Sequence, residues 1–233
     1  KTALLAARFS GSSPNFFYDS PLWTTNLKDF DGRDKPEVAL GTSDRKYASV
    51  FDTPAEAIIV EVTSAEKRTT GFFSLFGYDP HGMCRTTVFQ VSDRRSLHQL
   101  VNSGPTEIKG STDWKTMMED PSYQNNCNKE GFNISPEADL HSSLRNGGAK
   151  VRIGILYNNE NDCSSPDAGI GIGLSLRGNK VAAGASCHCC QSGGRCLKKN
   201  WAAVVRLFVV PAAPAPPGGF SPPPPSQPPS PPP

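Results

Sequence analysis

Val151-Arg152-Ile153-Gly154-Ile155-Leu156-Tyr157, followed after a polar loop by Gly169-Ile170-Gly171-Ile172-Gly173, is the stretch on which the fold turns. The first run is apolar and rich in β-branched residues, the signature of a central, buried strand. The second has glycine at every other position. No helical pattern succeeds it, so these glycines suit a strand lying close to another backbone better than a phosphate cradle.

Working outward, Ala57–Thr63 and Thr86–Val91 read as further strands, and Trp201–Val210 as the last one. Ser92-Asp93 can cap a helix carrying Leu97, Leu100 and Val101 on one face and stopping at Gly104. Asp113–Met118 reads as a second short helix, ended by Pro121. Strands and helices do not alternate regularly, so the expected class is α+β, with a central antiparallel sheet, short helices and long disulfide-pinned loops. Residues 1–210 form the globular domain and residues 211–233 a separate tail.

Of 22 prolines in the 233 residues, 13 lie in the tail, which reads PAAPAPPGGFSPPPPSQPPSPPP. Proline fixes φ and lacks an N–H, so such a segment forms neither helix interior nor sheet, only a polyproline II rod of about 70 Å when fully extended. Gly218-Gly219 is its flexible joint. A disordered linker and a ligand for SH3 or WW domains are the alternative readings of the same composition.

Lys plus Arg is 24 and Asp plus Glu 22, a net charge of +2 that leaves no electrostatic footprint for nucleic acid. No apolar run approaches the ~18 residues of a membrane-spanning helix. The opening Lys1-Thr2-Ala3-Leu4-Leu5 is too short an apolar run for a signal peptide, and Lys1 reads as the start of a processed chain. Seven cysteines, Cys84, Cys127, Cys163, Cys187, Cys189, Cys190 and Cys196, favour an oxidising, extracellular setting. The odd count leaves one thiol free or bonded to another chain. Asn133-Ile134-Ser135 is a glycosylation sequon, with Pro136 behind it. The Cys187-His188-Cys189-Cys190…Cys196 cluster could hold tetrahedral Zn²⁺, but adjacent cysteines ligate one ion poorly and a disulfide knot suits them better. Cys127 and Cys163 could pair with each other or with this cluster.

Asn158-Asn159-Glu160-Asn161-Asp162-Cys163-Ser164-Ser165-Pro166-Asp167 gathers the hard oxygen donors that Ca²⁺ requires, without the spacing or glycine of an EF-hand. Asn159, Glu160, Asp162 and Asp167 are the candidate ligands. An Asx-rich turn whose side chains bond their own backbone is the alternative. Phe72, Phe73, Phe76 and Tyr78 form a core strand or an aromatic groove for a proline rod. His81, His98, His141 and His188 lie in no H-E-x-x-H arrangement, and no G-x-S-x-G elbow exists.

Several blocks, in order along the chain, resemble the fibrinogen C-terminal-like family that includes the intelectins. They are Phe17–Thr24, Asp113-Trp114-Lys115, Asn126–Asn133, and Val151–Cys163 with Asp167, Gly169, Gly171 and Gly173 behind it. The resemblance implies a secreted domain, and in intelectins a Ca²⁺ that ligates sugar diols, with one ligand at Asn159. The remaining ligands of that family lie downstream, where only His188 is kept and no acidic residue follows Asp167. Ser221-Pro222-Pro223-Pro224-Pro225 and Ser230-Pro231-Pro232-Pro233 resemble the repeats of hydroxyproline-rich glycoproteins of plant and green-algal walls. That resemblance implies hydroxylation and arabinosylation at Ser221 and Pro222–Pro225.

Together these readings lead to a non-enzymatic, secreted structural glycoprotein of a cell wall, coat or filament. Its head stands on a sugar-clad rod, and its partners are copies of itself or other extracellular glycoproteins. A calcium-dependent lectin is the second reading.

Overall fold

The computed structural model describes residues 2–10, 14–24, 44–63, 84–108, 127–135, 148–157, 163, 166–176, 178–187, 199–202 and 204–214. Among these, the chain builds eleven strands, two 3-10 turns at Pro14–Phe16 and Pro21–Trp23, and two short helices, α1 (Ala48–Phe51) and α2 (Leu97–Asn102). The architecture is therefore mostly β, two antiparallel sheets, and the α+β expectation with its single central sheet is overturned.

Sheet one has the order β2-β1-β11-β3-β4. Its strands are β1 (Leu4–Ser10), β2 (Arg45–Lys46), β3 (Ala55–Thr63), β4 (Cys84–Gln90) and β11 (Val204–Pro211). Sheet two is a six-stranded meander in chain order: β5 (Thr106–Glu107), β6 (Lys129–Ile134), β7 (Ala149–Tyr157), β8 (Ala168–Leu176), β9 (Asn179–Cys187) and β10 (Lys199–Ala202). The single last strand expected over Trp201–Val210 is two strands in different sheets. β10 pairs with β9, whereas β11 enters sheet one between β1 and β3. An unbroken apolar run masks such a change of sheet, because the alternation is similar on both sides of the corner.

One core joins the sheets. Phe9, Ile58, Val60, Phe89, Val205, Leu207 and Val209 of sheet one share a buried cluster with Phe132, Ile153, Ile155, Ile170 and Ile172 of sheet two. Phe89 and Phe132 meet across the interior with ring centroids 5.3 Å apart. Phe9, Phe16 and Trp23 form a fully buried aromatic triad, with centroids 4.6 to 5.4 Å apart, that seats the two 3-10 turns on β1. The Trp23 indole N–H donates to the Phe17 carbonyl at 3.0 Å, so burying the ring leaves no polar group orphaned. Sheet two also carries a second buried cluster: Ile134, Ala149, Val151, Leu156, Leu174, Leu176 and Val181. β8 is buried at all nine positions.

Helix α2 is capped by Ser96, not by Ser92-Asp93. Its hydroxyl accepts from the Gln99 N–H while the Gln99 side chain accepts from the Ser96 N–H, a complete capping box. Asp93 instead accepts from the Arg95 N–H at 3.2 Å, forming a local turn. The second expected helix, 113–118, lies outside the described residues.

Two rows cross sheet two. In the first, Gly131, Gly154, Gly171 and Gly184 stand directly opposite one another on β6, β7, β8 and β9. All have φ between +140° and +156°. A Cβ at Gly154 would lie 2.1 Å from the Ile170 carbonyl oxygen, and one at Gly171 would lie 2.1 Å from that of Ile153. The close backbone approach expected at Gly169, Gly171 and Gly173 is met at Gly171, whereas a Cβ at Gly169 or Gly173 would meet the Leu174 or Arg152 side chain first. Two residues away, regular pairing skips a second row, Asn133, Arg152, Gly173 and Ala182, where Asn133 has φ +53° and Gly173 has φ +61°. The sheet is creased along that line.

Gly171→Ala is expected to cost about 3 kcal/mol or more, because the clash is with backbone and φ is unfavourable for any side chain. Gly104→Ala, with no atom within 4 Å of the added carbon, should change stability by no more than about 0.5 kcal/mol. Urea unfolding of both variants provides the comparison, and equal midpoints would contradict the assignment.

Candidate functional site

Two places on the head combine defined geometry with chemistry: the point where the chain leaves toward the proline-rich segment, and the crease of sheet two. At the first, Pro211 closes β11 opposite Ala55 after a register shift, a strand-end position where a missing N–H does least harm. The next residue is held too, since the Ala212 N–H donates to the Pro54 carbonyl at 2.8 Å. Arg94, at φ +60°, donates from Nη2 to the Ala213 carbonyl. Pro54 is itself bridged to Ser96, so the anchor is continuous with the start of α2.

At the crease, Asn133 is buried and its side chain is fully used. Nδ2 donates to the carbonyls of Leu100 at 2.9 Å and Ser103 at 2.7 Å, and Oδ1 accepts from Arg152 Nη1 at 2.9 Å. The same Nη1 reaches the Val101 carbonyl at 3.0 Å, and Arg152 Nε donates to the Tyr18 carbonyl at 2.8 Å. The last carbonyls of α2, which a helix leaves without intrahelical partners, thus find theirs on the sheet. The Tyr18 ring has Lys150 Nζ and Arg152 Cζ each 4.3 Å from its centroid, a double cation–π contact. Lys150 Nζ also donates to Asp19 Oδ1 at 2.7 Å. That hydrogen bond, reinforced by the charges of Lys150, Lys180 and Arg152 and opposed by partial burial, holds the Asp19 carboxyl below the ordinary carboxylate range.

These contacts bear on the glycosylation expected at Asn133. The amide that would bear the sugar is 4% exposed and both its hydrogens are engaged. A sequon carries no information about burial, and here the asparagine is a helix-to-sheet clamp.

Sheet one carries a buried polar corner where β1 meets β2. Arg8 lies opposite Arg45 and, on its other side, Arg206. Arg8, Asp44, Arg45 and Lys46 are all buried. Burial, and then the neighbouring Arg45, push the Arg8 guanidinium below its usual value, while Tyr47 and Asp44 act the other way. Lys46 donates to the Leu22 carbonyl at 2.7 Å and lies 4.6 Å from the Phe51 ring centroid. Burial lowers its pKa, and Asp52 partly offsets the effect. Arg206 Nε is 2.5 Å from Glu61 Oε1 across the β11–β3 ladder.

Of the residues singled out from sequence, Cys127 and Cys163 are joined in a disulfide spanning 36 residues. It ties the approach to β6 to the β7–β8 connection and is worth about 3–4 kcal/mol in the chain-entropy account. Cys84 and Cys187 sit in β4 and β9. Cys189, Cys190, Cys196 and His188 lie outside the described residues, as do Asn159, Glu160 and Asp162 of the candidate calcium set. Asp167 of that set is buried, with its N–H on the Tyr157 carbonyl at 2.9 Å. Among the described residues, no group of three or more His, Cys, Asp or Glu side chains is placed to hold a metal ion. His98 is half-buried on α2, with Nδ1 2.9 Å from Asp52 Oδ1. The aromatic stretch 72–78 and the modified prolines 222–225 with Ser221 are also outside the described residues. No described helix is long and apolar enough to cross a membrane. Sequence reasoning did not mark Arg152, Lys150, Tyr18, Asp19 or Arg94. A charged residue inside the otherwise apolar run Val151–Tyr157 was the available signal for Arg152.

Compared with known proteins, the chain matches no family model, no curated protein and no solved structure. The likeness to fibrinogen-like domains therefore rests on the residue blocks quoted above.

Peptide mapping of the native protein is expected to find Asn133 unmodified, and a glycan there would contradict the clamp. A second expectation concerns acid. The lowered Asp19 pKa contributes stability that is complete above its unfolded value near 3.8 and is lost as pH falls through the folded value. Asp19→Asn should therefore be less stable than the parent at neutral pH, with the difference vanishing in strong acid. Thermal melts across that range provide the measurement.

Proposed function

We propose that this chain is a non-enzymatic, secreted structural glycoprotein in which a two-sheet β head carries a hydroxyproline-rich rod for assembly into an extracellular wall, coat or filament. The observation that carries the reading is the anchored exit. β11 delivers the chain to Pro211, and the backbone of Ala212 and Ala213 is tied to Pro54 and Arg94. The proline-rich residues beyond therefore start from a fixed point on the head instead of from a free hinge. Thirteen prolines in 23 residues supply the stiffness, because each fixes φ and removes a donor that could fold the segment back. Copies of the same chain and other extracellular glycoproteins are the partners such a rod serves, and arabinose on hydroxylated Pro222–Pro225 keeps it extended and solvated. The disulfide Cys127–Cys163 suits an oxidising compartment.

Mass spectrometry of the native C-terminal peptide is expected to show hydroxyproline and pentose on Pro222–Pro225. Sedimentation of native material is expected to show species well above 25.0 kDa. An unmodified peptide together with a monodisperse monomer would overturn the proposal.

A further inference from the structure

The crease presents a charged patch that the head's own packing does not use up. Lys150, Ser175 and Lys180 stand in one row across β7, β8 and β9, which places the two lysine backbones about 10 Å apart, two interstrand spacings. Arg152 lies two residues along β7 and its guanidinium shares the Tyr18 ring with Lys150. Among the described residues, Asp19 is the one carboxylate bonded to this group, so three cations surround one anion. Lys180 is exposed, and among the described residues its side chain has no hydrogen-bond or ion-pair partner and Arg152 Nη2 has no acceptor, the bonds of that guanidinium coming from Nε and Nη1. Arg152 is fixed by two backbone carbonyls and the Asn133 side chain, and Lys150 by Asp19 and Tyr18, so the patch is ordered before any ligand arrives.

We propose that Lys150, Arg152 and Lys180, arranged about Tyr18 and Asp19, form a binding surface for an acidic polysaccharide whose sugars carry carboxylates. The arrangement fits that chemistry better than a denser polyanion. The free edge of the guanidinium and the unpaired lysine accept carboxylates. Asp19, 57% exposed at its side chain, accepts hydrogen bonds from sugar hydroxyls, which a uronate residue offers beside its acid group. Nucleic acid is disfavoured, because three cations are few for a phosphate backbone and the central carboxylate repels it. The surface lies on sheet two and does not depend on what the proline-rich segment does.

The test is retention of the full-length protein on immobilised polygalacturonate, with neutral dextran as the blank and duplex DNA as competitor. Retention at low salt that is lost on raising the salt is expected, with none on dextran. Lys180→Glu, an exposed position that leaves the fold intact, should weaken binding about ten-fold, and Lys180→Arg should restore it. The proposal is overturned if the parent protein is not retained or if Lys180→Glu binds as the parent does. Displacement by DNA as effective as by free polygalacturonate would also overturn it, because the surface would then be an unselective polyanion site.

Discussion

Where Gly131, Gly154, Gly171 and Gly184 line up across four strands, sheet two has no room for a Cβ, and the backbones close on one another at a φ reserved for glycine. The sheet's shape follows from that constraint. On both sides of the row, Ile153 and Ile172 and then Ile155 and Ile170 turn into the shared core. Two residues away, the crease at Asn133, Arg152 and Gly173 breaks the regular ladder and gives Arg152 access to the end of α2. Extra twist and re-aimed side chains are what local irregularities in a ladder generate.

The crease then organises what lies above it. Asn133 and Arg152 supply donors to three carbonyls at the end of α2, and the Tyr18 carbonyl takes a fourth bond. Through these bonds sheet two holds α2 and the segment around residue 18 together. A half-buried arginine is tolerable there because its charge is spread over three oxygen acceptors and an aromatic face. The same residue that stabilises the packing keeps Nη2 without an acceptor among the described residues. Structural and recognition roles thus meet in one side chain.

Much of the sheet content was legible in β-branched runs: Ala57–Thr63 and Val151–Tyr157 fall within strands, and so does Thr86–Val91 but for its last residue. The strands that escaped notice have physical reasons for doing so. β1 contains the buried Arg8, and β9, reading NKVAAGASC, is alanine- and glycine-rich, with weak β propensity. The run 201–210 read as one strand because hydrophobic alternation does not record which sheet a strand joins. Of the site, the disulfide partners were visible only as alternatives. The neighbours of Asn133 along the chain form a modification motif, whereas the clamp around it is built by residues 19 to 33 positions away. Arg94 and Asp19 matter through contacts more than a hundred residues away along the chain, to Ala213 and Lys150, which no local pattern encodes.

β11 lies between β1 and β3, and the chain continues directly from it past Pro211. A pull on the C-terminal segment is directed along that strand's axis. Both flanking ladders would resist by sliding, with their hydrogen bonds loaded together instead of opening one after another. A terminal strand at a sheet's rim would peel. The central seat makes the head a mechanical grip, in which tension on the distal end is carried into the middle of the sheet.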